Sequence, residues 1–491
     1  MSRILGTETE YGISSPDQPQ LSPIITSTHA VVAFGQLEHQ ALSTRWDYIS
    51  EHPLRDRRGF DLKRFHHIPV VDPRALGVAN VMLPNGGRFY VDHAHPEYSS
   101  PETTNARDAM IYDQAGDIIL QRAVDHIAHL TQAGHSILEH HDPCPPLRIY
   151  KNNVDGKGAS YGSHENYLYR RDTDFDDIAS SLIPYFVCRQ VLTGAGRVGI
   201  GSLGEQPGFQ ISQRADYIEQ EISLETTLNR GIINTRDEPH ADSDRFGRLH
   251  IIVGDANMSQ TATVLKLGMT SLILDAIENG VDFSDLRLAD PVQHIRLVSR
   301  DLSLSQTLQM ADGSSRTALD ILRIYASRIQ PDEYVYPLWM ETMDILEDEG
   351  YKGCADRLDW CAKWSLISAY LSRGLDIDDP KIKLLDLQYC DISPERSLYH
   401  ALVRSHRMLT LVSAEDIATC ADIPPADTRA YLRGNLISHT CVDAANWDSV
   451  TSAGSKFAML DPQGYTRDEI SNLAGDSDLF NRFPFLKKGH V

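Results

Sequence analysis

The stretch GRFYVDHAHPEY, residues 87–98, decides how this chain is interpreted. Its first half is aromatic and β-branched, which predicts a strand. Strand side chains alternate between two faces, so Arg88, Tyr90 and Asp92 share one face and the apolar residues between them share the other. An arginine, a tyrosine and an aspartate in a row make a poor core. This face is therefore either a solvated edge or the wall of a site.

Two other stretches repeat the alternation. In GTETEYG, residues 6–12, Glu8 and Glu10 are two positions apart and lie on one face of a predicted strand. In RLHIIV, Arg248 and His250 share a face, and apolar residues form the other. An antiparallel sheet with one buried face and one polar face would bring all three strands together. We therefore expect such a sheet, with its polar face lining a cleft.

The pair Glu8 and Glu10 places two carboxylates side by side, which costs stability unless something neutralises them. Mg²⁺ is suited to this task, because it takes oxygen ligands and usually shares them with nucleotide phosphates. The alternative is a solvated strand face.

A glycine-rich loop, KNNVDGKGASYGSHENY, ends near His164 and Asn166. It lacks the P-loop pattern and is weak evidence for phosphate binding by itself.

The length of 491 residues exceeds what one hydrophobic core usually supports, so we expect two domains. Strand patterns mixed with helical periodicity over residues 104–133 and 259–280 predict an α+β fold. We place a large catalytic domain at residues 1–405 and a small C-terminal domain at 406–491. Residues 36–80 are irregular and charged, which predicts a functional or disordered insertion.

Composition excludes several classes of function. The formal net charge is −22, which argues against nucleic acid as a partner, because that affinity comes mainly from Lys and Arg. No apolar run is long enough to span a membrane, and the polar N-terminus does not resemble a signal peptide. The seven cysteines are scattered, with no CxxC pair. We expect buried thiols and a cytoplasmic location.

Five blocks together resemble the actinobacterial family of ligases and depupylases that act on Pup, a ubiquitin-like protein. They are GTETEYGIS, NGGRFYVDHAHPEYSSPE, KNNVDGKGASYGSHENY, IINTRDEPHADSDRFGRLHIIVGDANMS and TRAYLRG, and the resemblance runs from residue 3 to about 450. It implies an α+β, glutamine-synthetase-like large domain with a curved antiparallel sheet packed by helices, plus a small C-terminal domain. It also implies ATP and Mg²⁺ as cofactors on the concave face of the sheet.

The sequence is more similar to the depupylase branch than to the ligase branch, because the 36–80 insertion is typical of depupylases. The resemblance then implies hydrolysis of the isopeptide bond between the C-terminal glutamate side chain of Pup and a substrate lysine, and deamidation of Pup that ends in glutamine. Pup and pupylated proteins are the implied partners. Two alternatives stay open, a Pup–protein ligase and a non-enzymatic regulator that binds Pup or nucleotide.

Site residues follow from the resemblance position by position. Asp92 matches an essential aspartate, which would act as nucleophile or as general base. The resemblance implies metal ligation by Glu8, Glu10, Tyr90, Glu97, His164 and His250, and nucleotide contacts from Arg88, Ser99, Ser100, Asn166, Arg248, Arg433 and Trp447. His240 and Arg236 lie in a resembling block without an assigned role. Since Pup is acidic, we also expect a local basic groove, to which RDRRGFDLKR, residues 55–64, could contribute.

Overall fold

A computed structural model describes residues 2–38, 44–59, 72–439, 442–452 and 454–472. The strands are β1 Leu5–Glu10, β2 Gly12–Ser14, β3 Arg45–Trp46, β4 Asn80–Met82, β5 Arg88–Asp92, β6 His95–Ser99, β7 Arg148–Tyr150, β8 Ser163–Arg170, β9 Arg197–Ile200, β10 Gln206–Gln210, β11 Gln220–Ser223, β12 Gly231–Asn234, β13 Phe246–Ile251, β14 Thr307–Gln309, β15 Ser315–Thr317, β16 Ala444–Ala445, β17 Ser449–Ser452 and β18 Ser455–Ala458.

The helices alternate with these strands and dominate the second half of the chain. They are α1 Pro23–Leu37, α2 Ala106–Gln132, α3 Phe175–Cys188, α4 Gln190–Thr193, α5 Gln260–Glu278, α6 Pro291–Arg300, α7 Ala318–Arg328, α8 Val335–Glu349, α9 Asp359–Leu371, α10 Pro380–Tyr389, α11 Leu398–Arg404, α12 Ala414–Cys420, α13 Ala430–His439 and α14 Arg467–Asn472. No helix in the described ranges is long and apolar enough to cross a bilayer.

One eight-stranded sheet organises the large domain, in the order β11-β12-β13-β8-β1-β6-β5-β4. Its neighbouring strands are antiparallel, except for the parallel pair β11 and β12 at one edge. The three strands predicted from sequence are β1, β5 and β13, and β6 and β8 lie between them. The predicted α+β fold is confirmed, and so is the single sheet that collects the polar strands.

Helices α1, α2 and α5 cover one face of this sheet. The predicted helix starts are correct: the Asn105 side chain accepts a hydrogen bond from the backbone N–H of Asp108 at the start of α2, and Ser259 caps α5 in the same way. Leu5, Thr7 and Thr9 of β1 are buried. The opposite face of the sheet is left for polar side chains and a cleft.

A second, smaller core lies in the C-terminal part of the chain. Its apolar members include Tyr431, Leu436 and Val450, and it also takes in Trp46 and Met82 from the N-terminal half. Strand β3 pairs in parallel with β16, so the start of the 36–80 insertion joins the C-terminal sheet. Helix α12 packs instead on α2 of the large core. The boundary at residues 405 and 406 stays a prediction.

Candidate active site

The register of the central strands places the predicted polar residues in cross-strand rows. Glu8 of β1 lies opposite Ser99 of β6 on one side and His164 of β8 on the other. Glu10 lies opposite Glu97, which in turn lies opposite Tyr90 of β5. Side chains directly opposite each other in an antiparallel pair lie within contact distance on one face. The alternation seen in the sequence therefore assembles a continuous polar wall.

This wall borders a cavity of about 600 Å³. The predicted site residues that line it are Glu8, Glu10, Arg88, Tyr90, Asp92, Glu97, Ser99, His164, Arg248 and Trp447. A neighbouring cavity of about 80 Å³ is lined by Ser100, Asn166 and further residues, and it shares Glu8, Ser99, Arg248 and Trp447 with the larger one. The two cavities are therefore parts of one cleft.

Glu10, Asp92 and Glu97 form the first cluster of possible metal ligands, with carboxylate oxygens within 4.8 Å of one another. Burial raises the pKa of Glu97 well above its ordinary value, and the negative charges of Asp92, Glu10 and Glu8 raise it further. Two groups contact the Glu10 carboxylate: the backbone N–H of Gly162 donates to it at 2.9 Å, and the His95 ring lies 3.5 Å away. A cation at this cluster would relieve the crowding of negative charge.

Glu8, His164 and His250 form the second cluster. The side chain of Asn166 links two members of this cluster. Its amide N–H donates to Glu8 at 3.1 Å, and its amide oxygen Oδ1 lies 2.9 Å from Nδ1 of His250. Burial opposes ionisation of Glu8, but the hydrogen bond with His164 and the positive charges nearby hold its pKa well below the ordinary value. Nε2 of His250 is buried and lacks a hydrogen-bond partner among the described residues.

Asp92 is the last residue of β5, at the rim of the cleft. Its Oδ2 lies 2.9 Å from Nδ1 of His93. Burial raises the pKa of Asp92, but the hydrogen bond from His93 and the charges of His93, His164 and Arg88 outweigh this and lower the pKa below its ordinary value. Asp92 is therefore an ionised carboxylate at neutral pH, as a nucleophile or general base must be.

The Arg88 guanidinium lies between two aromatic rings, 3.8 Å from the ring centroid of Trp46 and 3.9 Å from that of Tyr90. It donates to the side chain of Asn80 at 3.2 Å. Stacking of this kind fixes a cation without neutralising it. Trp46 was not predicted as a site residue, because it lies in the irregular insertion, where no periodicity marks the buried side chains.

The C-terminal residues predicted near the nucleotide occupy different environments. Trp447 lines both cavities. Arg433 is fully buried and lines neither cavity; it forms an ion pair with Glu102 and donates to the carbonyl oxygen of Trp447 at 2.8 Å. Arg429 also contacts Glu102, at 2.8 Å, and borders the smaller cavity. Arg433 thus fixes the backbone of Trp447 from a position outside both cavities.

Three arginines that sequence reasoning did not assign line the larger cavity, namely Arg214, Arg230 and Arg236. Arg214 donates to the carbonyl oxygen of Ile252 and the hydroxyl of Ser160, and Arg230 donates to two carbonyl oxygens. Within the described ranges, none of the three forms an ion pair with a carboxylate, and Nε of Arg236 is buried without a partner. Their positions on loops follow no periodic pattern, so the sequence offers no signal for them.

None of the described residues of the stretch 55–64 lines the cavity, and its contribution to a basic groove stays a prediction. Arg58 is paired with Asp56, and Arg57 donates to the Tyr169 hydroxyl at 3.0 Å. Lys63 and Arg64 lie outside the described residues. An earlier part of the insertion does border the cavity, through Tyr48, Glu51 and Pro53. The insertion therefore forms one wall of the site, and the cavity-lining cations come from elsewhere.

Comparisons with known proteins identify the family of this chain. The chain matches the model of the family described as Pup-ligase protein over residues 3–451. It is 51% identical to the Pup deamidase/depupylase of Mycolicibacterium smegmatis over 466 residues, which are 92% of this chain and 91% of that protein. Relatives named as depupylases share 46–51% identity with it, and relatives named as Pup–protein ligases share 36–39%.

Two solved structures resemble the chain over most of its length. The complex of Pup with its ligase PafA superposes with a TM-score of 0.79 at 29% identity, covering 100% of this chain and 92% of that one. PafA in complex with ADP superposes with a TM-score of 0.72 at 32% identity, covering 85% of this chain and 96% of that one. The predicted family resemblance and fold class are confirmed.

Proposed function

Because this chain belongs to the Pup-ligase family, we propose that it is a depupylase and deamidase of Pup. It hydrolyses the isopeptide bond between the C-terminal glutamate side chain of Pup and a substrate lysine, and it converts a C-terminal glutamine of Pup to glutamate. The observation that carries this proposal is the ionised Asp92 in one cavity with three arginines that have no carboxylate partner among the described residues. A carboxylate-rich polypeptide is the substrate that such arginines fit.

Asp92 takes part in hydrolysis of the amide by one of two routes. As nucleophile, a carboxylate oxygen bonds to the side-chain carbonyl carbon, the C–N bond breaks, and the lysine amine leaves with a proton; water then hydrolyses the mixed anhydride and restores Asp92. As general base, Asp92 takes a proton from a water that attacks the same carbon, the C–N bond breaks, and that proton passes to the departing lysine amine. After a single turnover in isotopically labelled water, label in the Asp92 carboxylate would establish the first route, because only water that opens the anhydride at the Asp92 carbonyl carbon places it there.

The donor atoms of the first cluster fit Mg²⁺. Glu10 and Glu97 offer the oxygen ligands that this cation takes, and the crowding of their carboxylates with Asp92 is costly without one. Glu8, with the neighbouring imidazoles of His164 and His250, would hold a second cation. Bound Mg²⁺ would offset the negative charge and polarise an oxygen of the substrate or the nucleotide. Tyr90, whose pKa burial raises well above 10, would contribute a neutral phenol.

ATP is proposed as the second cofactor, in line with the ADP-bound ligase relative. Ser99, Ser100, Asn166 and Arg248 border the smaller cavity and offer the hydroxyl, amide and guanidinium groups that contact a nucleotide. Arg88 and Trp447 border the larger cavity. Since amide hydrolysis is downhill, the nucleotide would order the site and would not be consumed in each turnover. A cytoplasmic location, where Mg²⁺ and ATP are plentiful, completes the proposal.

The test is a gel assay with a purified Pup–protein conjugate, Mg²⁺ and ATP, run beside free Pup with unmodified protein. We expect the conjugate band to disappear with the wild type, with little ATP consumed, and to persist with Asp92→Asn. A conjugate band that grows from free Pup would identify a ligase instead. No change in either reaction would favour a regulator that binds Pup or nucleotide without catalysis.

A further inference from the structure

The turn that connects β5 to β6 has an unusual backbone. Asp92 and His95 are the paired ends of the two strands, so His93 and Ala94 form a two-residue hairpin loop. His93 has a φ of 52°, and Ala94 is not among the residues with positive φ. Positive φ at the first of two central residues is typical of a type II′ turn, in which glycine dominates that position. A histidine there is strained.

The surrounding structure holds this turn in place. The hydroxyl of Ser27, a fully buried residue of α1, donates to the carbonyl oxygen of Ala94 at 2.8 Å. The backbone N–H of Tyr11 donates to the carbonyl oxygen of Pro96 at 3.0 Å. Backbone strain persists only where neighbouring contacts over-determine the conformation, and it concentrates at functional sites. The strain therefore indicates that the His93 side chain has a function.

The His93 ring contacts the carboxylate of Asp92. Nδ1 lies 2.9 Å from Oδ2, and because an ionised carboxylate only accepts hydrogen bonds, Nδ1 is the donor. The Oδ1 atom of Asp92 accepts no hydrogen bond from any described residue. The ring itself is 68% exposed, so burial does not explain its position. One oxygen of Asp92 is thus fixed by the protein, and the other is left for chemistry.

We propose that His93 is a positioning residue, which holds the Asp92 carboxylate in the orientation needed to act on the amide. This inference rests on the proposed function. The His93 ring lines the larger cavity although most of its surface is exposed, and its hydrogen bond within the described part of the chain is the one to Asp92. The hydrogen bond then restricts rotation of the carboxylate, and a reacting atom held in place reacts faster than one that samples several orientations.

The test compares three variants with the wild type in steady-state depupylation. His93→Gly removes the ring and suits the left-handed backbone, so we expect kcat to fall about 10- to 100-fold while KM stays within about twofold. The melting temperature should stay unchanged or rise, because glycine relieves the strain. His93→Asn keeps a side-chain N–H donor and tolerates positive φ, so we expect it to recover much of the lost kcat.

His140→Gly is the matched control, since His140 is an exposed histidine with a φ of 62° outside both cavities, and its loss should leave kcat unchanged. A His93→Gly variant with wild-type kcat would overturn the positioning role. So would equal losses of kcat in His93→Gly and His93→Asn, because the donor would then not matter. An inactive wild type would overturn the proposed depupylase function itself, which keeps the two failures distinct.

Discussion

The two faces of the central strand β1 carry charge in opposite arrangements. On the helix-covered face, Lys151 is fully buried and donates to Asp113 at 2.8 Å and to Asp117 at 3.2 Å. Thr9 and Tyr11 of the β1 region donate to the same two aspartates. On the cleft face, three carboxylates crowd together at Glu10, and three arginines across the cavity have no carboxylate partner in the described ranges.

This difference separates structural charge from functional charge. A buried charge is tolerated when it is paired and hydrogen-bonded, and the helix-covered face obeys that rule. The cleft face does not follow this rule for either sign of charge. One wall of the cleft has an excess of carboxylates, and another has an excess of arginines. Charges left without partners in the folded chain are available to a ligand. The comparison therefore predicts that charge removal will harm stability on one face and function on the other.

The largest effect is expected at the buried ion pair between Arg189 and Glu165 of β8, whose Nη2 and Oε1 atoms lie 2.5 Å apart with almost no exposure. Arg189→Met leaves the Glu165 carboxylate buried without its partner, and we expect a loss of about 3–5 kcal/mol in the free energy of unfolding. Denaturant unfolding followed by tryptophan fluorescence would measure this. The double variant Arg189→Met with Glu165→Leu should recover most of the loss, and an unchanged single variant would contradict the comparison.

A smaller effect, mainly on function, is expected for Arg230, which has no carboxylate partner among the described residues. Arg230→Gln should raise KM for the Pup conjugate about tenfold, equivalent to about 1.4 kcal/mol, and should lower the unfolding midpoint less than the control does. Arg171→Gln is the matched control, because Arg171 forms a bidentate ion pair with Asp237. Its Nη1 and Nη2 atoms lie 2.8 and 3.0 Å from the two carboxylate oxygens. That variant should lose stability and keep its KM. The reverse pattern would show that ion pairing does not separate the two roles.

The sequence predicted the cleft face well because its residues lie on strands. Alternation along β1, β5 and β13 places Glu8, Asp92 and His250 on one side whatever the details of the fold. For the helix-covered face, the sequence predicted only that it would be buried. Its buried charges, Asp113 and Lys151, come from a helix and a loop far apart in the chain, and no local pattern indicates their pairing.

The cavity-lining arginines and Trp46 were missed for the same reason. Each lies on a segment without regular periodicity, and only the tertiary structure brings it to the cleft. His93 is a different case. Its position beside Asp92 is evident in the sequence, but neither the positive φ of the turn nor the hydrogen bond to Asp92 has a sequence signal.

The smallest effect is expected from Glu10→Gln, and it tests the crowded carboxylates directly. Glutamine keeps an oxygen that can accept the Gly162 N–H, which donates to Glu10 at 2.9 Å, and it removes one negative charge opposite Glu97. Like charges directly opposite on a sheet are destabilising, so without Mg²⁺ the variant should be more stable than the wild type by about 0.5–1 kcal/mol.

Added Mg²⁺ should reverse this order. The wild type should gain stability as the cation binds the folded state, and the variant should gain less because it has lost a ligand. Plotted against Mg²⁺ concentration, the melting temperatures of the two proteins should therefore cross. Glu51→Gln is the control, since Glu51 lines the same cavity but accepts a hydrogen bond from Trp46 at 2.5 Å and lies 3.8 Å from Arg88. Its stability should change by the same amount with and without Mg²⁺. If Glu10→Gln lost the same amount of stability with and without Mg²⁺, the cluster would be held together by the protein alone, and the cleft face would not differ from the helix-covered face.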